Sequence, residues 1–243
     1  ESWSCLWNSK YQGKLLMFDN PRDAFAIAES MLGYSFNTED EQELKNCADL
    51  LATQSPVLQG YVMDQIFDRM ERGEAWAAPY YAGDYLTMVE ENPDLGFSHP
   101  KEGFNIFIDA MCIPKGCQNK EGAEAFINFL CRPEISAANL DYIGYSTPET
   151  AAKDYLDEDV TSSPVSYPDD ETLARSESFA ELGVGATQTM NDLWLSVKTS
   201  TSNTTLYLVL TITAIAAVIL FFLISGIIKR RKKARRCRKW RQT

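Results

Sequence analysis

Short apolar runs alternate with amphipathic segments through most of the 243-residue chain. Residues 14–18 form such a run and predict a β-strand. Asn20 and Pro21 then predict the start of a helix, because Asn is a favoured N-cap residue and Pro fits the first helical position. Apolar residues recur at helical spacing from there to Gly33, which predicts the end of this helix.

The same alternation continues and predicts an α/β domain over residues 1–198. Further strands are predicted over residues 75–81, 96–98 and 106–113. Further helices are predicted from Thr38 past Leu51, over residues 62–72, 120–131 and 133–143, and in two late segments that end near Lys198. Residues 157–168 are polar and contain two prolines, which predicts a loop.

The C-terminal part of the chain has a different pattern. Residues 206–228 contain no charged side chain, and about 20 apolar residues suffice for a helix to cross the hydrocarbon core of a bilayer. The run therefore predicts a single transmembrane helix. Residues 199–205 are rich in Ser and Thr and predict a linker between the domain and the membrane.

Ten of the chain's 23 Lys and Arg residues lie within residues 229–241, where no acidic residue occurs. Basic flanks stay on the cytoplasmic side of a membrane. The sequence thus predicts a cell-membrane protein with an extracellular or periplasmic domain and a short cytoplasmic tail. Beside a membrane helix, this basic tail is expected to contact anionic lipids rather than nucleic acid.

Charge and cysteine content argue against several classes of function for the domain. No Asp or Glu follows Asp192, so the residues before the basic tail hold 13 basic and 34 acidic residues and a net charge of −21. Such a surface repels nucleic acid and attracts cations. The single histidine, His99, has no evident catalytic partner, and Cys112 and Cys117 lack a second ligand pair for zinc. We expect free cysteines, no cofactor, no metal site and no enzymatic activity.

A set of ordered segments resembles the C-terminal half of the bacterial spermidine/putrescine-binding proteins, the substrate receptors of polyamine ABC transporters. The resemblance extends over about residues 2–198, and the segments occur in the order in which the family has them. They are residues 4–7 with 11–14, 18–23, 32–38, 100–103, 109–114, 119–123, 126–130 and 143–148.

The resemblance implies a periplasmic-binding-protein-like fold of type II, with ligand in a cleft between two lobes. It assigns residues 2–107 and 154–198 to the second lobe and residues 108–153 to part of the first. Most of the first lobe would precede Glu1, which is not an initiator residue and is not followed by a signal peptide. We therefore expect an internal part of a longer protein, or insertion directed by the transmembrane helix. That helix departs from the family pattern.

The same resemblance implies a polyamine site with carboxylates for the ammonium groups. Asp23 and Asp109 fall at ammonium-binding carboxylates of the family. Asn20 falls where the family often has another carboxylate, and Asp84 is expected to compensate for it. Asp109 interrupts an apolar run, where an unpaired charge is costly. Asp23 has the alternative role of complementing the dipole of its helix.

Aromatic residues are expected to complete this site. By resemblance, Tyr81 and Phe107 fall at tryptophans of the family, and Tyr145 falls at a tyrosine. A cation over an aromatic face gains about 0.5–2 kcal/mol, and the same face packs against methylene groups. The alternative for Tyr81 and Phe107 is a place in the core, where strand aromatics usually lie.

The sequence therefore predicts the substrate-binding component of an ABC transporter that captures extracellular spermidine or putrescine. Its partners would be the polyamine and permease subunits in the same membrane. Two alternatives stay open from the sequence. One is a membrane-anchored sensor or adhesion ectodomain, and the other is a receptor for a different small cationic solute or a metal complex.

Overall fold

The computed structural model describes residues 2–201 and 211–213. One compact unit comprises Glu1–Val197, and a second begins at Lys198. The helices are α1 (Pro21–Leu32), α2 (Glu41–Ala52), α3 (Ile66–Glu71), α4 (Ala82–Glu91), α5 (Lys120–Leu130), α6 (Pro133–Ile143), α7 (Glu158–Thr161), α8 (Asp170–Leu173) and α9 (Val184–Thr201). The strands are β1 (Leu15–Phe18), β2 (Leu58–Val62), β3 (Phe104–Ile106) and β4 (Ser176–Ser178), and short 3-10 helices cover Trp3–Trp7, Ser9–Tyr11 and Thr150–Tyr155.

The first strand and helix form as the sequence predicts. All four residues of β1 are buried, and β1 pairs in parallel with β2. The side chain of Asn20 caps α1 by accepting a hydrogen bond from the backbone N–H of Arg22 at 2.9 Å. Gly33 ends the helix in the left-handed region, with φ of 74°, which glycine adopts without strain. This β1–α1 connection sets the start of α1 directly beyond the end of a buried strand.

The main core lies between α1, α2, β1 and α9. Phe25 of α1, Leu44 and Leu51 of α2 and Trp194 of α9 are buried in one cluster. Burying each large apolar side chain contributes about 1.5–3 kcal/mol, so this cluster is the main source of stability in the described unit. A smaller cluster beneath β2 and α3 includes Ile66.

A second parallel sheet joins β3 to β4, and a polar network ties β4 to α1 and to the segment between α1 and α2. Glu177 of β4 accepts hydrogen bonds from Asn37 Nδ2 at 2.8 Å and from the backbone N–H of Phe36 at 2.9 Å. Arg22 donates to Asn37 Oδ1 at 2.8 Å, and its guanidinium lies 4.6 Å from the ring centre of Phe179. The polar contacts hold this late segment against α1 and the residues that follow it.

A buried carboxyl lies beside this network. Glu29 of α1 is 0% exposed, and neither of its carboxyl oxygens has a hydrogen-bond partner among the described residues. Burial raises the pKa of Glu29 to about 8, with Arg22 lowering it and the carboxylates Glu177 and Glu43 raising it further. Glu29 therefore holds its proton at neutral pH, which avoids most of the cost of burying an unpaired charge.

Several predicted elements are wrong in type or extent. The helix predicted over residues 62–72 is shorter, because Val62 is paired with Phe18 as the last residue of β2, and α3 begins only at Ile66. Residues 75–81 form a single bridge, Ala77 with Leu15, and not a strand. Residues 96–98 are not a strand either. Strand pairing depends on a distant partner, which a local apolar run does not reveal.

The strand predicted over residues 106–113 is also wrong, since β3 ends at Ile106 and the residues after it are irregular. Its partner β4 ends at Ser178, opposite Ile106, so pairing stops there. Cys112, which lies in this predicted strand, is exposed and free. β4 itself is not among the predicted strands, and α7 lies inside the predicted loop 157–168.

The helices predicted at residues 120–131 and 133–143 are confirmed as α5 and α6. The predicted linker 199–205 begins inside α9, which continues to Thr201. Apart from residues 211–213, the predicted transmembrane segment 206–228 and the whole basic tail lie outside the described residues. Among the residues that are described, no helix has the length and apolar character needed to cross a membrane.

Candidate functional site

A cleft of about 1950 Å³ opens beside the ends of β1 and β3 and the start of α4. Six of the seven site residues predicted from the sequence line it. These are Asp23, Tyr81, Asp84, Phe107, Asp109 and Tyr145. The structure thus gathers, on one cleft, residues from the first turn of α1, the first turn of α4, the segment after β3 and the turn after α6.

Asp23 and Tyr81 form the inner polar pair of the cleft. The hydroxyl of Tyr81 donates a 3.0 Å hydrogen bond to Oδ2 of Asp23, whose side chain lies in the first turn of α1. Asp23 is only 7% exposed, and burial raises the pKa of its carboxyl, while Tyr81 and then Arg22 act in the opposite direction. Burial and the charge of Asp23 raise the pKa of the Tyr81 phenol. The phenol therefore stays protonated and orients the carboxylate.

Asp84 and Tyr145 lie close together as a second pair. Asp84 lies in the first turn of α4, and Tyr145 follows Gly144, which ends α6. Burial raises the pKa of the Asp84 carboxyl, and the nearby Tyr145 hydroxyl lowers it. Burial and the nearby Asp84 raise the pKa of the Tyr145 phenol. The cleft therefore contains two carboxyls with a tyrosine beside each, and Asp23 accepts a hydrogen bond from its tyrosine.

The ring of Phe107 lies between the two tyrosines. Its centre is 5.7 Å from that of Tyr81 and 6.1 Å from that of Tyr145, and both contacts are edge-to-face. Among the described residues, Phe107 is 42% exposed, so the alternative that it is a core residue is wrong. Its position leaves part of the ring facing the open side of the cleft.

The cleft wall also contains two aromatic residues that are not predicted as site residues from the sequence, Phe18 and Tyr80. Tyr81 packs against Phe18 with ring centres 5.4 Å apart and against Tyr80 at 5.0 Å. Burial raises the pKa of the Tyr80 phenol to about 12, with Asp84 and Asp64 contributing. The signal that could have identified them is their position, because Phe18 ends β1 and Tyr80 immediately precedes Tyr81.

Asn20 and Asp109 differ from expectation. Asn20 does not line the cleft, and its side-chain oxygen is used to cap α1. Asp109 lines the cleft but is exposed, so its predicted burial in an apolar strand is wrong. It still contributes to raising the pKa of the Tyr145 phenol, which places it within electrostatic range of the second pair.

Half-buried carboxyls beside aromatic rings suit a small organic cation better than a metal ion. The described residues contain no group of three or more His, Cys, Asp or Glu side chains positioned for a metal. His99 packs between the rings of Phe97 and Phe104, and burial lowers its pKa. The residues predicted from the sequence therefore combine carboxyl groups with aromatic faces on one cleft.

Comparison with known proteins identifies the family of this chain. The family model described as bacterial extracellular solute-binding protein matches residues 1–174. The chain belongs to this family of solute-binding proteins. It is 32% identical over 185 residues to the spermidine/putrescine-binding periplasmic protein of Escherichia coli (strain K12). It is 28% identical over 209 residues to the putrescine-binding periplasmic protein SpuD of Pseudomonas aeruginosa (strain UCBPP-PA14).

Solved structures extend the comparison to the fold of this chain. The crystal structure of the spermidine/putrescine ABC transporter substrate-binding protein PotD from Streptococcus pneumoniae matches 83% of this chain and 62% of its own, with a TM-score of 0.75 and 33% identity. The Tp0655 (TpPotD) lipoprotein of Treponema pallidum matches 81% of this chain and 61% of its own, with a TM-score of 0.72 and 27% identity. The α/β fold of PotD-type binding proteins is thus confirmed.

The matched relatives are longer than the region they share with this chain. The alignment covers 76% of this chain but 53% of the Escherichia coli protein, and 82% of this chain but 57% of SpuD. The chain therefore spans about half the length of the curated relatives it matches.

Proposed function

We propose that this protein captures extracellular polyamines, such as spermidine or putrescine, as the substrate-binding component of an ABC transporter. The observation that carries the proposal is that two carboxyls of the cleft, Asp23 and Asp84, each lie beside a tyrosine. The ring of Phe107 lies between these tyrosines, Tyr81 and Tyr145. The names of the relatives support the same ligand class, because they are polyamine-binding proteins.

The chemistry of a polyamine explains the parts of such a site. An ammonium group leaves water at a cost that a carboxylate offsets only if the remaining hydrogen bonds are also made. Asp23, held by Tyr81, is proposed to receive one ammonium group, and Asp84 and Asp109 are proposed to receive the other end. A bound ammonium also restores the charged form of Asp23, whose pKa is raised in the free protein.

The aromatic wall is proposed to hold the methylene chain between the two ends. Tyr81, Phe107 and Tyr145 present edges and faces that exclude water from alkyl carbon and attract positive charge. Asn20 is proposed to act indirectly, by capping the helix that carries Asp23. Its amide in place of a carboxylate is proposed to affect which polyamine is preferred rather than the ligand class.

We also propose the placement that the sequence predicts. Residues 2–107 with 154–198 would form the second lobe and residues 108–153 part of the first, so that the cleft lies between segments of different lobes. Residues 206–228 would anchor the protein in the cell membrane with the basic tail in the cytoplasm, in contact with anionic lipids. Anchoring would keep the receptor beside the permease subunits to which it delivers ligand.

Titration calorimetry of the purified protein tests the ligand class. Putrescine and spermidine should bind, whereas 1,4-butanediol, which has the same carbon chain as putrescine without its charges, should not. An iron chelate serves as a second comparison ligand. Binding of the chelate without the amines would favour the alternative receptor for a metal complex. Absence of all binding would favour a cleft kept only as a scaffold.

A further inference from the structure

Gly83 lies in the first turn of α4, beneath the ring of Tyr145. A Cβ atom on Gly83 would lie 2.2 Å from Cδ2 of Tyr145 and 2.3 Å from its Cε2, which is far inside van der Waals contact. Gly83 does not have a positive φ, so its backbone would accept any residue. Alanine is also a better helix former than glycine. The contact with Tyr145 therefore accounts for a glycine at this position.

A second glycine faces the first across the same junction. Gly144, at the end of α6, has φ of 75°, and a Cβ atom there would lie 2.9 Å from the carbonyl oxygen of Gly83 and 3.3 Å from Cβ of Leu86. The end of α6 thus meets the first turns of α4 backbone to backbone. This close approach brings Tyr145, the next residue, over the start of α4.

We propose that Gly83 is a positioning residue for the candidate site. By lacking a side chain it lets the ring of Tyr145 lie on the first turn of α4, where its hydroxyl reaches Asp84 and its edge meets Phe107. The inference rests on the proposed function, because it explains how Tyr145 is placed beside Asp84, one of the two carboxyls of the candidate site.

A side chain at position 83 is therefore expected to weaken ligand binding. A methyl group at this position displaces the ring of Tyr145, takes its hydroxyl away from Asp84, whose charged form that hydroxyl favours, and opens the wall beside Phe107. Losing a polar partner of a charged group costs affinity by roughly ten- to a hundredfold. Gly83→Ala should therefore weaken putrescine binding by about that factor.

The chain offers a matched control in Gly185. This glycine also lies in the first turn of a helix, α9, without a positive φ, and a Cβ atom there would meet nothing within 4 Å. Gly185→Ala therefore introduces the same methyl group in the same helical context without a neighbour to displace. It should leave putrescine affinity unchanged.

The first test needs no ligand and uses the whole protein labelled with 3-fluorotyrosine. Tyr145→Phe assigns the fluorine resonance of Tyr145 by removing it. In Gly83→Ala this resonance should shift, and the phenol should titrate at lower pH as it leaves its buried place beside Asp84. In Gly185→Ala it should do neither. An unchanged resonance and titration in Gly83→Ala would overturn the inference even if polyamines bind.

The second test is a double-mutant cycle read by calorimetry with putrescine. Gly83→Ala should weaken binding in the presence of Tyr145 and have no further effect in Tyr145→Ala, because the ring that the methyl meets is gone. Equal losses in both backgrounds would overturn the inference. Should Gly83→Ala alone fail to fold, the double variant should fold, and failure of both would equally contradict it. If the parent binds no polyamine, the proposed function fails while the fluorine experiment still decides the role of Gly83.

Discussion

Two regions of the described unit differ in how their apolar side chains are used. From β1 to α2, apolar residues such as Phe25 and Leu44 are fully buried in one cluster. From the end of β3 to the end of α5, apolar residues remain at the surface, with Ile108 81% exposed and Phe126 60% exposed. Helix α5 is amphipathic and has no buried residue. A correct helical pattern is therefore not evidence that the helix's apolar face is covered.

The candidate site lies on the boundary between these two regions. Asp23 comes from the packed region, and Tyr81 packs against its cluster and donates a hydrogen bond to Asp23. Phe107 and Asp109 come from the open region and are exposed. The comparison implies that the two halves of the site are not equally rigid, because a side chain is fixed by the neighbours that pack against it.

The largest expected effect is a difference in how much the two regions contribute to the free energy of unfolding. Phe25→Ala should lower the free energy of unfolding by about 3–5 kcal/mol, because it leaves a cavity in the packed cluster. Phe126→Ala, on the exposed face of α5, should change it by about 0.5 kcal/mol or less. Urea denaturation followed by circular dichroism measures both. Similar losses in the two variants would mean that α5 is covered as fully as α1.

A second expected effect is a dependence of stability on pH that originates in the packed region. The pKa of Glu29 is about 8 in the folded protein, above its ordinary value of 4.5, so the folded state keeps a proton that the unfolded chain releases. The resulting stability is full below the ordinary pKa and is lost as pH rises towards 8, with a limiting slope of about 1.4 kcal/mol per pH unit.

Glu29→Gln keeps the shape of the protonated side chain and removes its titration. The parent should therefore lose stability relative to this variant as pH rises from about 5 to about 8. Glu91→Gln, at an exposed position of α4, is the control and should follow the parent. Denaturant unfolding at a series of pH values measures all three proteins. A constant difference between parent and Glu29→Gln would show that Glu29 is not buried in its neutral form.

A smaller effect is expected from the open half of the site. Phe107→Leu removes an aromatic face but keeps most of the apolar volume. The binding free energy of putrescine should therefore become less favourable by about 0.5–2 kcal/mol. Phe129→Leu, on α5 and outside the cleft lining, is the matched control. Calorimetry with putrescine compares the two. An unchanged affinity in Phe107→Leu would place the ligand away from the ring.

The sequence predicts helices of this protein better than strands, for a physical reason. Caps such as Asn20 and Gly33 act within a few residues, so α1 is confirmed at both ends. The strand predicted after β3 is wrong because its extent depends on β4, about 70 residues further along the chain. The pattern of a helix is local, whereas the partner of a strand is not.

For the site, individual residues could be predicted but their pairing could not. The resemblance to polyamine-binding proteins placed Asp23, Tyr81 and Tyr145 at site positions, and the structure brings them to one cleft. The hydrogen bond of Tyr81 to Asp23 and the approach of Tyr145 to Asp84 depend on how distant segments meet. The contact of Gly83 with Tyr145 likewise joins residues 62 positions apart, which no local pattern indicates.

The central claim is that Asp23 binds an ammonium group of a polyamine in this cleft, and calorimetry of Asp23→Asn with putrescine tests it most directly. The substitution keeps the side chain's shape and removes its charge, so affinity should fall by about 2–5 kcal/mol. Asp40→Asn changes the N-cap of α2 to another good N-cap residue outside the cleft and should bind like the parent. A folded Asp23→Asn variant that binds putrescine as tightly as the parent would contradict the account.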